Sequence, residues 1–226
     1  SQAIQQQQPV YIELDKIFRQ TNGDFIRVLN EVRNNCLSDS GLKLLQSRYN
    51  PLFVPPNDDT YITLTTHNYK ADQINAEELA KVPGKIYSFN AEIQGEYPEK
   101  SYPTEKTLEL KIGAKVMFLK NDTETPRRFF NGKIGVLKSI GQDTITIKCP
   151  DDYEPIELGK GVWENIRYST NQTTKQIEEE ELGKFIQYPL RLAWAITIHK
   201  SQGLTFDKAV IDAGAAFAAG QVYVAL

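Results

Sequence analysis

The hydrophobic positions of the first hundred residues switch between two spacings. Alternation at every second residue predicts strands in "VYIEL" (10–14) and "YITLTT" (61–66). Helical spacing predicts three helices: one capped by Asn22 or Asp24, one over 41–49, and one over 67–82. The order strand, helix, helix, strand, helix is typical of a layered α/β domain.

From about residue 86 the pattern changes to short β-like runs. These are "KIYSF", "KVMFL", "KIGVLKSI", "TITIK" and "PIEL". Turn signals such as Asn131-Gly132 and Pro150-Asp151 separate them, so they predict a small all-β barrel. Residues 101–106 and 169–184 are expected to be connectors on either side of it. The sequence therefore predicts a β module inserted into an α/β domain.

The segment 189–199 fits both helical and strand spacing. Pro189 at its start and Gly203 beyond its end favour a helix. After it, "KAVID" (208–212) is expected to be a short buried strand, and "GQVYVAL" to begin a helix.

Composition and charge limit the partners. The chain has 226 residues, of which 40% are hydrophobic and 24% charged, as in ordinary soluble domains. No apolar run approaches the roughly 18 residues of a membrane span, so no membrane partner is expected. Cys36 and Cys149 are distant from each other, which fits a reducing compartment. The net charge of −3 excludes a general basic coat, so any nucleic-acid contact needs local positive charge.

The two histidines stand at element boundaries among hydrogen-bond donors. His67 lies in "TLTTHN" and His199 in "TIHKSQG", where Thr, Ser, Asn and Lys can donate to phosphate oxygens. Arg19 follows a predicted strand, at a sheet edge where a guanidinium could clamp a phosphate. The alternatives are structural histidines and an arginine paired with a surface carboxylate.

The predicted barrel carries its own basic group at Arg127, Arg128 and Lys133, next to Phe129 and Phe130. Cations beside exposed rings suit a loop that touches phosphates and stacks on a base. The alternative is that both rings pack in the barrel core.

Six stretches, in order, carry a family resemblance over about residues 9–226: "IELDKIFRQ", "TLTTHNYKADQIN", "LKIGAKVMFLKND", "FFNGKIGVL", "LAWAITIHKSQGLTFDKAVID" and "GQVYVAL". Together they resemble the C-terminal motor half of Pif-type helicases, which are RecD-like 5′→3′ DNA helicases of superfamily 1. The resemblance implies an α/β fold: a second RecA-like domain of the P-loop-NTPase type over 1–103 and 187–226, with an SH3-like β barrel inserted at 104–186.

The resemblance also implies site residues. The expected contacts to the backbone of single-stranded DNA are Thr65, His67, Asn68, Thr197, His199, Lys200 and Ser201. The residues expected on the ATP side are Arg19, Gln20, Gln202 and Gly203. Arg19 is the catalytic candidate, because in this family an arginine of that motif reaches the γ-phosphate of ATP across the cleft between two domains.

Two family features have no counterpart in the sequence. It contains neither G-x-x-x-x-G-K-[ST] nor an acidic pair after an apolar strand, so the phosphate loop and the Mg²⁺ ligands are expected in the first RecA-like domain. The family's last motif continues into Ser-Arg, whereas this sequence stops at Leu226, within that motif. Thr205 stands where relatives in the wider superfamily often carry Glu, and it is assigned no role.

The expected cofactors are thus ATP and Mg²⁺, in the full-length protein, and this chain alone is expected to be inactive. The expected partners are single-stranded DNA, tailed duplex DNA and the first RecA-like domain. The family implies work in DNA repair, recombination and telomere maintenance, in the bacterial cytoplasm at the nucleoid, or in a eukaryotic nucleus or mitochondrion. Two alternatives stay open: RNA as the track, and a non-motor module whose barrel binds nucleic acid or a protein.

Overall fold

The computed structural model describes residues 10, 12, 20–56, 61–150, 152–170, 176–218 and 220–226. The chain forms two compact units, Ser1–Leu52 and Phe53–Leu226. Arg19 and most of the predicted strand 10–14 lie outside the described residues. Within the described ranges, no helix has both the length and the apolar character needed to cross a membrane.

The first unit contains two helices, α1 (Gly23–Arg33) and α2 (Asp39–Gln46). Helix α1 begins where the sequence predicts, because the Asn22 side chain accepts a hydrogen bond from the Phe25 N–H at 3.0 Å. Helix α2 is shifted towards the N-terminus relative to the prediction, since Ser38 caps it by accepting from the Gly41 N–H at 3.1 Å.

A parallel three-stranded sheet forms the α/β part of the second unit. Its central strand β1 (Tyr61–Thr65) lies between β12 (Ala195–Thr197) and β13 (Lys208–Asp212). Helix α3 (Asn68–Lys81) packs against β12 and β1. Ile62 and Leu64 of the central strand are buried in one core with Ile196 and Ile198. The prediction of a mixed α/β fold is confirmed.

A five-stranded antiparallel sheet forms the main β part. In their order across the sheet, its strands are β11 (Leu190–Leu192), β5 (Lys115–Phe118), β6 (Ile134–Ile140), β7 (Ile145–Lys148) and β8 (Ile156–Leu158). Their inward side chains, including Phe118, Leu137 and Ile147, share a second core. The short strands agree with the sequence pattern, but in the described residues the two edge strands do not pair, so barrel closure stays a prediction.

Two smaller sheets complete the described structure. Strand β2 (Tyr87–Asn90) pairs with β4 (Thr107–Leu110), just beyond a 3-10 turn at Glu99–Ser101. Strand β10 (Ile177–Gln187) lies between β3 (Glu92–Gly95) and β9 (Gly161–Thr170). The insertion is predicted to begin at residue 104 and to end at residue 186, and these pairings join residues on both sides of each limit. The limits of the insertion stay a prediction.

The connector predicted over 169–184 is wrong for its second half, which is strand β10. Glu178 to Glu181 are exposed on both faces of the hairpin formed with β9. Because neither face of that end is buried, the segment lacks the apolar alternation that normally marks a strand. Backbone pairing across the hairpin holds it extended.

The helix predicted over 189–199 is also wrong. The segment forms β11, a break at Ala193-Trp194 and β12, and only α4 (Ile198–Ser201) is helical. The segment forms strands and not a helix because Leu190 pairs with Phe118 of β5 and Ala195 pairs with Thr63 of β1. Strand β13 is where the sequence predicts it, but it is largely exposed and not buried as expected; in the part of the chain that the structure describes, it is the outer strand of its sheet. Helix α5 (Gln221–Ala225) follows.

Candidate nucleic-acid-binding edge of the parallel sheet

Three loops leave the same edge of the parallel sheet. In the register of the strands, Thr65 lies opposite both Thr197 and Asp212, the last residues of β12 and β13. The residues that follow these three positions therefore emerge side by side. We call this side of the sheet the carboxyl edge. Ligands of open α/β sheets bind at such edges.

The loop after β1 brings His67 and Asn68 to the carboxyl edge. Thr65 is completely buried, and its hydroxyl donates to the His67 carbonyl at 3.1 Å. The Thr66 hydroxyl and His67 Nδ1 are 2.8 Å apart. His67 is the N-cap residue of α3 without a capping side-chain bond, and the exposed Asn68 is the first residue of that helix. The first N–H groups of α3 can thus serve an anion.

The loop after β12 forms the short helix α4. The Thr197 hydroxyl accepts from the Lys200 N–H at 3.4 Å, and the Ser201 hydroxyl donates to the Ile198 carbonyl at 2.8 Å. Thr197 and Ser201 are buried, whereas His199 and Lys200 are exposed. Gly203 ends the turn with a φ of +84°, a conformation that favours glycine.

The predicted DNA contacts at this edge thus divide into two groups, with the half-buried His67 between them. Asn68, His199 and Lys200 are exposed at the carboxyl edge. Thr65, Thr197 and Ser201 are buried, and their hydroxyls are bonded within the protein. The expectation that Ser201 faces DNA does not fit its buried side chain, because its hydroxyl is bonded inside the turn that presents Lys200.

A helix side chain holds β12 in place. Asn75 of α3 accepts hydrogen bonds from the N–H groups of Trp194 at 3.1 Å and Ala195 at 2.9 Å. It also donates to the Ala195 carbonyl at 2.9 Å. Among the described residues no strand pairs with the outer side of β12, so Asn75 supplies partners for these backbone groups.

The loop after β13 supplies residues that sequence reasoning missed. The Gln221 side chain accepts from the Phe217 N–H at 3.1 Å and donates to the Thr66 carbonyl at 3.4 Å. The Phe217 ring lies 4.9 Å from the His67 ring, measured between centroids. Lys70 of α3 and Asp212 at the end of β13 form an ion pair. These contacts join residues that are far apart in the sequence, so local sequence patterns do not predict them. Gln221 appears in the sequence analysis only as part of the stretch "GQVYVAL".

A groove of about 390 Å³ lies between α3 and β4, and it includes Thr197 and Lys200 in its lining. The carboxylates of Asp72, Glu105 and Glu109 also line it. Burial lowers the pKa of the Arg191 guanidinium in this groove, and the nearby carboxylates of Glu105 and Asp72 oppose that shift. Three carboxylates disfavour a phosphate inside this groove, although Asn68 and Lys200 of the carboxyl edge line it as well.

The basic group of the β part is mostly engaged within the protein. Arg128 Nε donates to Asp122 at 2.7 Å, and Lys133 Nζ donates to Asp152 at 2.7 Å. Arg127 is exposed. Phe129 is buried and stacks on Phe118 with centroids 4.5 Å apart, whereas Phe130 is 52% exposed. The alternative of core packing therefore holds for Phe129, while DNA contact by Arg127, Arg128 and Lys133 stays a prediction.

The candidates for the ATP side stay predictions as well. Gln20 is half-buried in the first unit, and Gln202 and Gly203 are exposed in the second. Arg19 lies outside the described residues. Those residues contain no group of three or more His, Cys, Asp or Glu placed to hold a metal ion.

Comparison with known proteins gives a consistent result. The chain is 35% identical over 224 residues to the human ATP-dependent DNA helicase PIF1, a match that covers 96% of this chain and 33% of that protein. The structure of Pif1 from a Bacteroides species in complex with ADP-AlF4 superposes with a TM-score of 0.80 at 38% identity, covering 93% of this chain and 47% of that one. The structure of Bacteroides Pif1 bound to single-stranded DNA gives 0.66 at 39% identity, covering 95% and 48%. No protein-family model matches.

The chain belongs to the Pif-type family of superfamily 1 helicases and corresponds to their C-terminal motor half. It spans about a third of the length of the human relative and about half of the matched Bacteroides structures.

Proposed function

We propose that this chain is the second motor domain of an ATP-dependent 5′→3′ DNA helicase. In this proposal the parallel sheet and its helices are the RecA-like domain, and the antiparallel sheets are its SH3-like insertion. The observation that carries the proposal is the convergence of the loops after β1 and β12 at the carboxyl edge. It brings Asn68, His199 and Lys200 to one side of the sheet, as binding of a phosphate backbone requires.

The edge would bind single-stranded DNA through its phosphates. Asn68, His199 and Lys200 can donate hydrogen bonds to phosphate oxygens, and the N-terminus of α3 adds backbone N–H groups. Such contacts carry no sequence information, which suits a motor that moves along any sequence. The match to Bacteroides Pif1 bound to single-stranded DNA supports this assignment.

The ATP chemistry would need a second domain. Gln202 and Gly203 would contribute to a cleft completed by the first RecA-like domain, and the match to the ADP-AlF4 complex of Bacteroides Pif1 supports ATP use. Arg19 and Gln20 are separate candidates for contact with ATP. We expect the chain alone to show no ATP turnover, because it has no phosphate loop to neutralise the β- and γ-phosphates.

The proposal is tested by measuring binding of fluorescently labelled single-stranded DNA at several salt concentrations. With three to five phosphates neutralised, the slope of log K against log salt should be about −2 to −3.5, and base composition should matter little. A flat salt response or strong preference for one base sequence would contradict backbone binding. Binding that depends on the antiparallel sheets and not on the carboxyl edge would favour the non-motor module.

A further inference from the structure

Three aromatic side chains form a row at the carboxyl edge. The His67 ring lies between the rings of Tyr69, at 5.4 Å, and Phe217, at 4.9 Å, measured between centroids. Tyr69 is 67% exposed and Phe217 is 71% exposed. Two large rings with most of their surface in solvent, flanking a half-buried one, present apolar faces that the core of the protein does not use.

The fold holds this row in place. His67 and Tyr69 come from the loop after β1 and the first turn of α3, whereas Phe217 comes from the loop after β13. The Gln221 side chain connects the two loops, because it bonds both the Phe217 N–H and the Thr66 carbonyl. Phe217 is thus positioned by a hydrogen-bonded link next to His67, although the two residues are 150 positions apart.

The rings lie beside the groups assigned to phosphates. The exposed donors Asn68 and Lys200 leave the same edge of the sheet, from the loops after β1 and its neighbour β12. A single strand whose phosphates are bound at this edge carries unpaired bases, and each base has an apolar face that can stack on an aromatic ring.

We propose that Tyr69 and Phe217, on either side of His67, form a stacking surface for the unpaired bases of the bound strand. The proposal rests on the proposed function and adds a base contact to the phosphate contacts. Stacking is tolerant of sequence because every base has a π-face. The carboxyl edge would therefore distinguish a strand with bases from a bare sugar-phosphate chain, without preferring a particular sequence.

The test compares two labelled oligonucleotides of equal length and charge, a twelve-nucleotide oligo-dT and its fully abasic counterpart. The proteins are this chain, Phe217→Ala, Tyr69→Ala and, as a matched control, Tyr153→Ala, whose ring is 99% exposed in the β part. We expect the unmodified chain to bind oligo-dT about tenfold more tightly than the abasic strand. Phe217→Ala and Tyr69→Ala should each reduce that ratio by several fold and keep the abasic affinity.

The outcomes separate the two proposals. Stacking would be overturned by equal affinity of the unmodified chain for both strands, or by an unchanged ratio of oligo-dT to abasic affinity in both variants. Phosphate binding would stay intact in either case, and the rings would then be available to a protein partner. The same loss of ratio in Tyr153→Ala would also overturn it. No binding to either strand would contradict the proposed function itself, and stacking with it. Because both rings are exposed, circular dichroism should show that the variants stay folded.

Discussion

At the residue scale, Asp122 shows how one buried carboxylate organises a loop. Its oxygens accept hydrogen bonds from Arg128 Nε at 2.7 Å, Arg128 Nη2 at 3.2 Å, and the backbone N–H groups of Arg128 and Glu124 at 3.0 and 3.2 Å. The Arg128 side chain, more than any other group, holds the pKa of the Asp122 carboxyl well below its usual range.

Asp122→Asn should lower the free energy of unfolding by about 1–3 kcal/mol at neutral pH, because it weakens charge-assisted hydrogen bonds at a buried site. Since the folded-state pKa of Asp122 is depressed, its contribution is fully present above the unfolded value of about 4 and is lost as pH falls towards the folded value. Urea unfolding at a series of pH values measures the difference.

The exposed Arg127, in the same loop, provides the control for this measurement. Arg127→Ala should leave stability nearly unchanged. Asp122→Asn and the unmodified chain should differ less in free energy of unfolding at about pH 2 than at pH 7. An equal difference at both pH values would contradict the assigned role of the carboxylate.

The carboxyl edge shows how far the identity of single residues predicts the arrangement of the candidate site. Polar residue types mark the ends of β1 and β12, but the sequence pattern favours a helix where β12 lies, so the meeting of the two loops follows only from the parallel pairing. Residue types do not distinguish the exposed Lys200 from the buried Ser201 next to it, since that depends on how one helical turn packs. The contact between His67 and Phe217 had no local signal at all.

At the element scale, Asn75 is the link between α3 and β12. Asn75→Ala should destabilise the chain by about 1–3 kcal/mol, because it leaves the Trp194 and Ala195 N–H groups and the Ala195 carbonyl without their partner. Gln73→Ala on the same helix removes only an exposed bond to Glu77 and should cost little. Denaturant unfolding of the two variants tests this, and equal stabilities would contradict the role of Asn75.

The elements that the sequence predicts well are those whose burial differs between their faces. Helix α1 has a clear N-cap, and the short strands of the β part carry regular apolar alternation. The hairpin strand β10 lacks such alternation because its distal end is exposed on both faces. The segment 189–199 has two compatible periods, and only pairing with distant strands selects one of them. Tertiary contacts thus decide where local patterns are weak or double.

At the scale of the whole molecule, Arg19 tests the assignment to a motor. In a protein that joins this chain to the first RecA-like domain, Arg19→Ala should reduce ATP turnover by about 10³-fold or more, because an arginine in that position would stabilise charge that develops on the γ-phosphate. DNA affinity should change little. Steady-state ATPase and DNA-binding assays on the same preparation separate the two effects, and lost DNA binding with normal turnover would assign Arg19 to the DNA.

The central claim concerns the carboxyl edge, and the salt dependence of single-stranded DNA binding by Lys200→Ala tests it most directly. Lys200 is exposed on α4, and Lys138→Ala, at an exposed lysine of β6, is the control with the same charge change. If Lys200 contacts one phosphate, its loss should make the slope of log K against log salt shallower by about 0.7, whereas the control keeps the original slope. An unchanged slope for Lys200→Ala, or an equal change in both variants, would contradict phosphate binding at this edge.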